Sequence, residues 1–135
     1  MVFEIDKTTI MEQKYQDLLE QAYNAFNARD VDVMLLLMDK DVQWPNGWEG
    51  GYVQGHDEVR DYWTRQWKEI NPVVKPVSFK ENPDGQIEVQ VHQIVKDLSG
   101  NILFDGIVNH IYTFNKEKVK RMEIQSDKVR QEVAY

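Results

Sequence analysis

In the first half of the chain, apolar residues recur every three or four positions, which is the spacing of an amphipathic helix. One such stripe predicts a helix over residues 8–28. Asp30 follows it, and its carboxylate is suited to cap a second helix over residues 31–39. The second helix is apolar nearly all round, so we expect it to be buried on most sides. A third stripe predicts a helix over residues 56–70, which Pro72 ends.

In the second half the period shortens to about two, which is typical of β-strands. Four long runs predict an antiparallel meander, with turn residues between the first three: 73–80, 86–97, 102–114 and 119–129. A short strand is also expected over residues 41–45, and Pro45 ends it because proline cannot donate a backbone hydrogen bond. Residues 46–55 hold four glycines and are interpreted as a loop. Its two aromatic residues, Trp48 and Tyr52, are placed where they could cover a pocket.

This order of elements predicts the fold class. Helices followed by a meander indicate an α+β fold in which three N-terminal helices pack on one face of a curved antiparallel sheet and enclose an aromatic pocket. The chain of 135 residues is expected to form a single domain over residues 1–135. The part of the last-but-one strand over residues 107–114 is apolar on both faces. The helices can cover only one face, so we expect a homodimer through the convex face.

Composition and charge exclude several classes of protein. The net charge is −7, and no segment concentrates basic residues, so a nucleic-acid partner is not expected. There is no cysteine, which excludes disulfides and thiolate chemistry. No histidine spacing matches a metal motif, and neither a metal nor another cofactor is expected. No signal peptide or membrane-spanning run is visible, so the expected location is cytoplasmic, with no membrane partner.

Three stretches together resemble a known superfamily. They are Tyr23-Asn24-Ala25-Phe26-Asn27-Ala28-Arg29-Asp30, then Asp41-Val42-Gln43-Trp44, then Gly55-His56-Asp57-Glu58-Val59-Arg60-Asp61-Tyr62-Trp63. In this order they look like the nuclear-transport-factor-2-like (NTF2-like) superfamily, and most like its SnoaL-like branch. The resemblance implies a conical cavity between the helices and the concave face of the sheet. Members include isomerases, dehydratases, cyclases, epoxide hydrolases and binding modules, so the fold alone does not choose a function.

The steroid Δ-isomerases of this superfamily use a general-base Asp, with a Tyr and a protonated Asp as oxyanion donors. By the resemblance, Asn46, Ala22 and Asn109 stand at these positions. An amide cannot accept the proton, so steroid-isomerase chemistry by this set is not expected. Asn109 could still donate a hydrogen bond to an oxyanion. The Asp-Arg-Asp cluster of the epoxide hydrolases has no counterpart on the expected inner strands.

Alternation along the strands predicts which side chains face the cavity. If Ile87, Val89, Val91 and Gln93 face inward, His92 faces outward. The same alternation is expected to place Asn109, Ile111 and Thr113 inside and His110 outside, with Ser126, Met122 and Ile124 on the inner face of the last strand. A register slip of one residue would instead turn both histidines into the cavity, where they would resemble the two-histidine site of the family's dehydratases.

The remaining candidates have structural and functional interpretations. Trp44, Trp63 and Trp67 are core residues, cavity wall, or both. Trp48 and Tyr52 are candidates for the pocket mouth. His56 is expected to cap the third helix or to be exposed, while Tyr23 could offer its hydroxyl to the pocket.

These positions define the candidate site. The expected ligand contacts are Tyr23, Trp44, Asn46, Tyr52, Trp63, Trp67, Gln93, Asn109, Ile111, Met122 and Ile124. The candidate proton-transfer groups are Tyr23, His56, His92 and His110. Neutral polar groups in an aromatic cavity favour a binding protein for a small, mostly apolar molecule. The alternative is an isomerase, dehydratase or cyclase acting on a small polyketide-, terpenoid- or steroid-like substrate by His/Tyr acid–base chemistry.

Overall fold

The structure, a computed structural model, describes residues 7–125, and side chains within α1 only from residue 13 onward. Within this range the order of elements confirms the α+β fold with three N-terminal helices. The helices are α1 (Lys7–Asn27), α2 (Val31–Leu36) and α3 (Gly55–Glu69). The strands are β1 (Met38–Pro45), β2 (Tyr52–Gln54), β3 (Ile70–Glu81), β4 (Ile87–Asp97), β5 (Ile102–Asn115) and β6 (Lys118–Gln125). No helix of this range is both long and apolar enough to cross a bilayer.

The six strands form one curved sheet in the order β2-β1-β6-β5-β4-β3. Strands β3 to β6 form the expected antiparallel meander. Strand β1 differs from the expectation, because it joins the sheet parallel to β6. Strand β2 lies inside the segment interpreted as a loop and pairs antiparallel with β1. With only three residues, β2 is too short for a period of two to reveal it.

Helix α2 also departs from its prediction. It ends at Leu36, because the chain has already entered β1 at Met38. Asp30 caps it as expected, accepting a hydrogen bond from the backbone N–H of Val33 at 3.2 Å. Met34 and Leu35 are buried, but the Leu36 side chain is 70% exposed. The expectation of burial on most sides is therefore wrong, since one short helix can cover only part of its circumference.

The pairing of β4 with β5 decides which residues face inward. Val89 pairs with His110, and Gln90 pairs with Asn109. Directly paired residues share a face of the sheet, and Val89 is fully buried. His110 therefore faces the helices, while Asn109 faces outward. The sequence prediction had these two sides exchanged.

The same exchange affects the neighbours of Asn109. Ile111 and Thr113 lie on the outer face with it, and Thr113 accepts a hydrogen bond there from Gln86 at 2.9 Å. The prediction for this strand was wrong because β5 is apolar on both faces, so alternation alone could not choose the buried face. His92 lies on the outer face, the side expected for it, and its Nε2 is 2.6 Å from Asp105 Oδ1. The predicted inner position of Ser126 lies outside the described residues.

The two faces of the sheet differ in composition. The inner face packs against the helices in one core cluster that includes Leu19, Val59, Val89, Val91 and Met122. The outer face exposes several large apolar side chains: Val73 and Val77 on β3, and Ile102, Leu103 and Ile107 on β5. The helices thus cover one face and leave the other to solvent in a single copy of the chain.

Candidate functional site

A cavity lies between the inner face of the sheet and helices α1 and α3. Its free volume is about 40 Å³, room for about three water molecules. Most of the side chains around it are aromatic or aliphatic, and none carries a formal charge at neutral pH. The lining residues are Ala22, Tyr23, Phe26, Met34, Leu37, Met38, Trp44, Tyr62, Trp63, Gln66, Val74, Gln93, His110, Tyr112, Val119 and Met122.

Three polar side chains form a hydrogen-bonded chain at one part of this cavity. Tyr23 lies on the buried stripe of α1, and its hydroxyl is 2.8 Å from Nδ1 of His110. The Tyr112 hydroxyl lies 2.8 Å from the same Tyr23 hydroxyl. His110 and Tyr112 are two residues apart on β5, so both project from its inner face toward α1. The amphipathic pattern of α1 and the inner register of β5 thus bring the three groups together.

Burial keeps all three groups uncharged at neutral pH. It lowers the pKa of His110 from 6.5 to about 4. Burial also raises the pKa values of Tyr23 and Tyr112 above the ordinary tyrosine value. Desolvation penalises the charged form of each group, and no carboxylate or cation in the described lining opposes it. The site is therefore polar but neutral.

The second ring nitrogen of His110 is the notable feature of the site. Nε2 is buried and has no hydrogen-bond partner within residues 7–125. A buried polar atom without a partner is costly, and such atoms are few in folded proteins. Because His110 lines the cavity, a water or another small molecule in the cavity can supply the missing partner.

Four other predicted ligand contacts line the same cavity: Trp44, Trp63, Gln93 and Met122. The Trp44 and Trp63 rings meet edge to face at a centroid distance of 5.2 Å, so they pack in the core and form the wall at once. Gln66, which was not among the predicted contacts, is buried on α3 and donates to the Tyr62 hydroxyl at 3.4 Å. The sequence pattern could have identified it, because Gln66 is a polar residue on the otherwise apolar stripe of α3.

Trp67 takes the core position expected for it rather than a place on the cavity wall. It does not belong to the described lining. Its ring stacks on Trp63 at 6.3 Å and contacts Phe26 at 5.5 Å, while the Arg29 guanidinium lies 5.1 Å from its centre. Trp67 supports the wall from behind, because α3 turns it toward the end of α1.

The other predicted contacts gather outside the cavity. Asn46, Tyr52, Ile111 and Ile124 border an open cleft of about 550 Å³, together with Pro45, Gly47, Gly50, Gly51, Glu123 and Gln125. The Asn46 side chain is occupied by its own loop, where it accepts hydrogen bonds from the backbone N–H groups of Trp48 and Glu49, each at 3.0 Å. Asn46 therefore does not line the cavity, and its role as a ligand contact stays a prediction.

The glycine-rich loop contacts the cavity wall from outside. The backbone N–H of Gly47 donates to the Tyr62 hydroxyl at 2.9 Å, and the Trp48 ring packs on the Tyr62 ring at 5.9 Å. Tyr52 lies further out, where the Arg121 guanidinium covers its ring at 4.3 Å and donates to its hydroxyl at 2.8 Å. Trp48 therefore touches the wall, whereas Tyr52 belongs to the open cleft.

The remaining predicted residues do not reach the cavity. His56 Nε2 lies 3.1 Å from the Met38 carbonyl oxygen and ties the start of α3 to β1. It is not the helix cap, because Gln54 occupies that position without a side-chain hydrogen bond. His92 and Asn109 lie on the outer face. No group of three or more His, Asp or Glu side chains in the described part of the chain is arranged to hold a metal ion.

The chain is similar to a known protein family and to several solved structures. A family model for the SnoaL-like domain matches residues 19–122. No curated protein sequence matches the chain. Among solved structures, TerC crystallised with polyporic acid is 25% identical, with a TM-score of 0.74, over 86% of this chain and 93% of TerC.

Two further structures share the fold. An NTF2-like protein of unknown function from Burkholderia pseudomallei is 24% identical, with a TM-score of 0.74, over 90% of this chain and 98% of its own. A Mycobacterium tuberculosis protein in complex with estradiol-17β-hemisuccinate is 15% identical, with a TM-score of 0.73, over 85% of this chain and 95% of its own. The family model covers more than half of the chain, and the cone-shaped fold agrees with it. The protein belongs to the SnoaL-like domain family of the NTF2-like superfamily.

Proposed function

We propose that the protein binds a small, uncharged, largely apolar molecule in the cavity, with one polar group of the ligand at His110 Nε2. The unpartnered, buried Nε2 on the wall of an aromatic cavity carries this proposal. Ligand pockets commonly combine apolar walls with a few polar groups that fix orientation. His110 is such a group, and Gln66 and Gln93 are two further neutral candidates in the same lining.

The chemistry of the lining supports a neutral ligand. A buried charge without a partner is far more costly than a buried hydroxyl or carbonyl, and no lining side chain carries a charge to pair with it. The free volume of about 40 Å³ is small compared with the ~300 Å³ or more of typical ligand pockets. The ligand is therefore compact, or the aromatic walls move apart to admit it.

Two relatives support a ligand-binding role. TerC was crystallised with polyporic acid, and the M. tuberculosis protein was crystallised with estradiol-17β-hemisuccinate. Both ligands are organic molecules held by proteins of this fold. They support the binding of a small organic molecule here without naming it.

The binding proposal can be tested with a matched pair of probes, 4-methylphenol and 4-methylbenzoate, by ligand-observed NMR. We expect wild-type protein to bind the neutral phenol and not the carboxylate. Ala22→Leu fills the cavity from α1 and should abolish binding. Gln21→Leu adds the same side chain to the exposed face of α1 and should leave binding unchanged. Equal binding to both α1 variants would place the probe elsewhere, with the open cleft the first alternative.

A second candidate function is catalysis by a cofactor-independent isomerase, dehydratase or cyclase. The contact between Tyr23 and His110 favours it, because a histidine whose other nitrogen is held by a second group is a recurring proton-transfer arrangement. The residues at the steroid-isomerase positions do not come together in this cavity. Asn46 is hydrogen-bonded within its own loop, and Asn109 faces outward. This candidate requires Nδ1–H to donate to Tyr23, so that Nε2 is free to accept a proton. Wild-type protein should then accelerate exchange of the α-protons of cyclohexanone in D₂O, and His110→Phe should not. Equal rates for the two proteins would reject His110 catalysis of this reaction.

We also propose that a second copy of the chain covers the outer face of the sheet. The exposed Val73, Val77 and Ile107 side chains support this arrangement, because isologous contact of such faces buries them in both copies. Sedimentation at micromolar concentration is the test, and a monomer would contradict it. A cytoplasmic location stays a prediction.

A further inference from the structure

The hydrogen-bonded chain of Tyr112, Tyr23 and His110 has a direction, and the direction decides what His110 offers to a ligand. We infer that Tyr112 donates to Tyr23 and Tyr23 donates to Nδ1 of His110, so that the ring proton stands on Nε2 and the cavity selects a ligand with an acceptor oxygen, such as a carbonyl. This inference rests on the proposed function, because it concerns the ligand of the same cavity.

The possible donor–acceptor arrangements leave different groups without a partner. If Tyr112 donates to Tyr23 and Tyr23 to Nδ1, both hydroxyl protons are used. Only the Nε2–H then lacks an acceptor within the described residues. The Tyr112 oxygen then accepts no hydrogen bond, but this destabilises the fold less than a buried O–H without an acceptor would. A hydroxyl that donates one hydrogen bond already has a partner.

The opposite direction leaves more buried polar groups without a hydrogen-bond partner. If Nδ1–H donates to Tyr23 and Tyr23 donates to Tyr112, the Tyr112 hydroxyl proton needs a further acceptor. Its oxygen has no other hydrogen bond within residues 7–125, and its side chain is buried. Nε2 would in addition be an acceptor without a donor. This arrangement leaves two unmet groups in the core where the first leaves one, and each unmet group is destabilising. If Tyr23 instead accepts from both neighbours, two groups are again unmet, its own hydroxyl proton and Nε2.

A doubly protonated His110 would also place a proton on Nε2, but it would bring a positive charge into the core. The titratable groups that face the ring are the two tyrosine hydroxyls, and the described lining offers no carboxylate to pair with an imidazolium. The neutral ring protonated at Nε2 is therefore the form that meets the ligand.

The direction assigns separate roles to the three residues. His110 contacts the ligand and donates through Nε2–H, while Tyr23 is a positioning residue that holds the proton off Nδ1. Tyr112 orients the Tyr23 hydroxyl. A donor fixed in a largely apolar cavity stabilises negative charge that develops on a carbonyl oxygen. A site built around one donor discriminates against ligands that can only donate.

The proton position can be measured directly in the wild-type protein, with ¹⁵N-labelled histidine and long-range ¹H–¹⁵N NMR. We expect a protonated, pyrrole-type Nε2 and an acceptor, pyridine-type Nδ1 for His110. Tyr23→Phe should remove this preference and give a mixture of tautomers, whereas the cleft variant Tyr52→Phe should leave it unchanged. A pyridine-type Nε2 in wild-type protein would overturn the inference.

The ligand class can be measured with two pairs of probes that differ in one polar group. Cyclohexanone and methylenecyclohexane test an acceptor, while pyrrole and cyclopentene test a donor. His110→Phe should weaken cyclohexanone about tenfold more than methylenecyclohexane, with no such difference between pyrrole and cyclopentene. The reverse pattern, or equal losses for both pairs, would overturn the inference alone. Failure of all four probes to bind wild-type protein would instead reject the proposed function and the inference with it.

Discussion

The hydroxyl of Tyr23 on α1 and the Nδ1 atom of His110 on β5 lie 2.8 Å apart in the buried core, although 87 positions separate the two residues in the chain. This contact joins the helical layer to the sheet at the cavity wall. It also occupies one nitrogen of the only cavity-lining histidine among the described residues and leaves the other for a ligand. The proposed ligand site and the inferred position of the histidine proton both start from this relationship.

The first prediction concerns the stability of the fold at acidic pH. Burial lowers the pKa of His110 from 6.5 in the unfolded chain to about 4 in the folded one. Between these values the unfolded state binds more protons, so the free energy of unfolding falls as the pH falls. Each pKa unit corresponds to ~1.4 kcal/mol, so the loss should reach about 3 kcal/mol near pH 4.

Urea denaturation at several pH values measures this loss. His110→Phe should be less stable overall but should lack this component of the pH dependence, because the titrating group is gone. The same slope of stability against pH in wild-type and His110→Phe proteins would show that His110 is not the buried neutral histidine described here.

The second prediction concerns the hydroxyl of Tyr23. Tyr23→Phe leaves both the Tyr112 hydroxyl and His110 Nδ1 without a partner, so it should lower the free energy of unfolding by about 1–3 kcal/mol. Tyr52→Phe removes an exposed hydroxyl and is the matched control, with a loss below about 1 kcal/mol. Tyr23→Phe and Tyr112→Phe should be non-additive, because they share a hydrogen bond. Additive losses would contradict a connected network.

The third prediction concerns Asn46. Asn46→Ala removes the acceptor of two loop N–H groups and should cost about 1 kcal/mol of stability. Binding of 4-methylphenol should be unchanged, since the side chain does not line the cavity. Calorimetric unfolding and the NMR binding assay check the two parts. Lost binding with unchanged stability would restore Asn46 as a ligand contact.

The fourth prediction concerns the outer face of the sheet. Ile107 is 48% exposed there, and Ile107→Glu should convert the proposed dimer to a monomer by placing like charges in the interface. Leu36→Glu alters a side chain on α2 that is 70% exposed, away from the sheet, and should leave the dimer intact. Sedimentation velocity distinguishes the species. Equal sedimentation of both variants and wild-type protein would reject this interface.

Much of the fold could be predicted from the sequence, because the long elements repeat their patterns many times. The stripe of α1 and the alternation of β4 each extend over enough residues to fix type and buried face. Short elements do not repeat a pattern often enough to be predicted. Strand β2 has only three residues, and α2 ends at Leu36, two residues before β1 begins. The parallel pairing of β1 with β6 depends on tertiary packing rather than on either local pattern.

The candidate site was harder to predict, and β5 shows why. Its two faces carry Ile107 and Ile111 on one side and Val108 and Tyr112 on the other, so hydrophobicity alone could not decide which face is buried. Only the pairing of His110 with Val89 settles the question. Tyr23, in contrast, lies on a clear helical stripe, and its place in the cavity follows from the pattern of α1.

The most direct test of the central claim is a crystal structure of the protein grown with cyclohexanone. The account predicts that the ketone lies among the aromatic walls of the cavity, with its oxygen within hydrogen-bond distance of His110 Nε2 and with the contact between Tyr23 and Nδ1 preserved. Cyclohexanone found only in the open cleft beside Asn46, with the cavity and His110 unchanged, would contradict it.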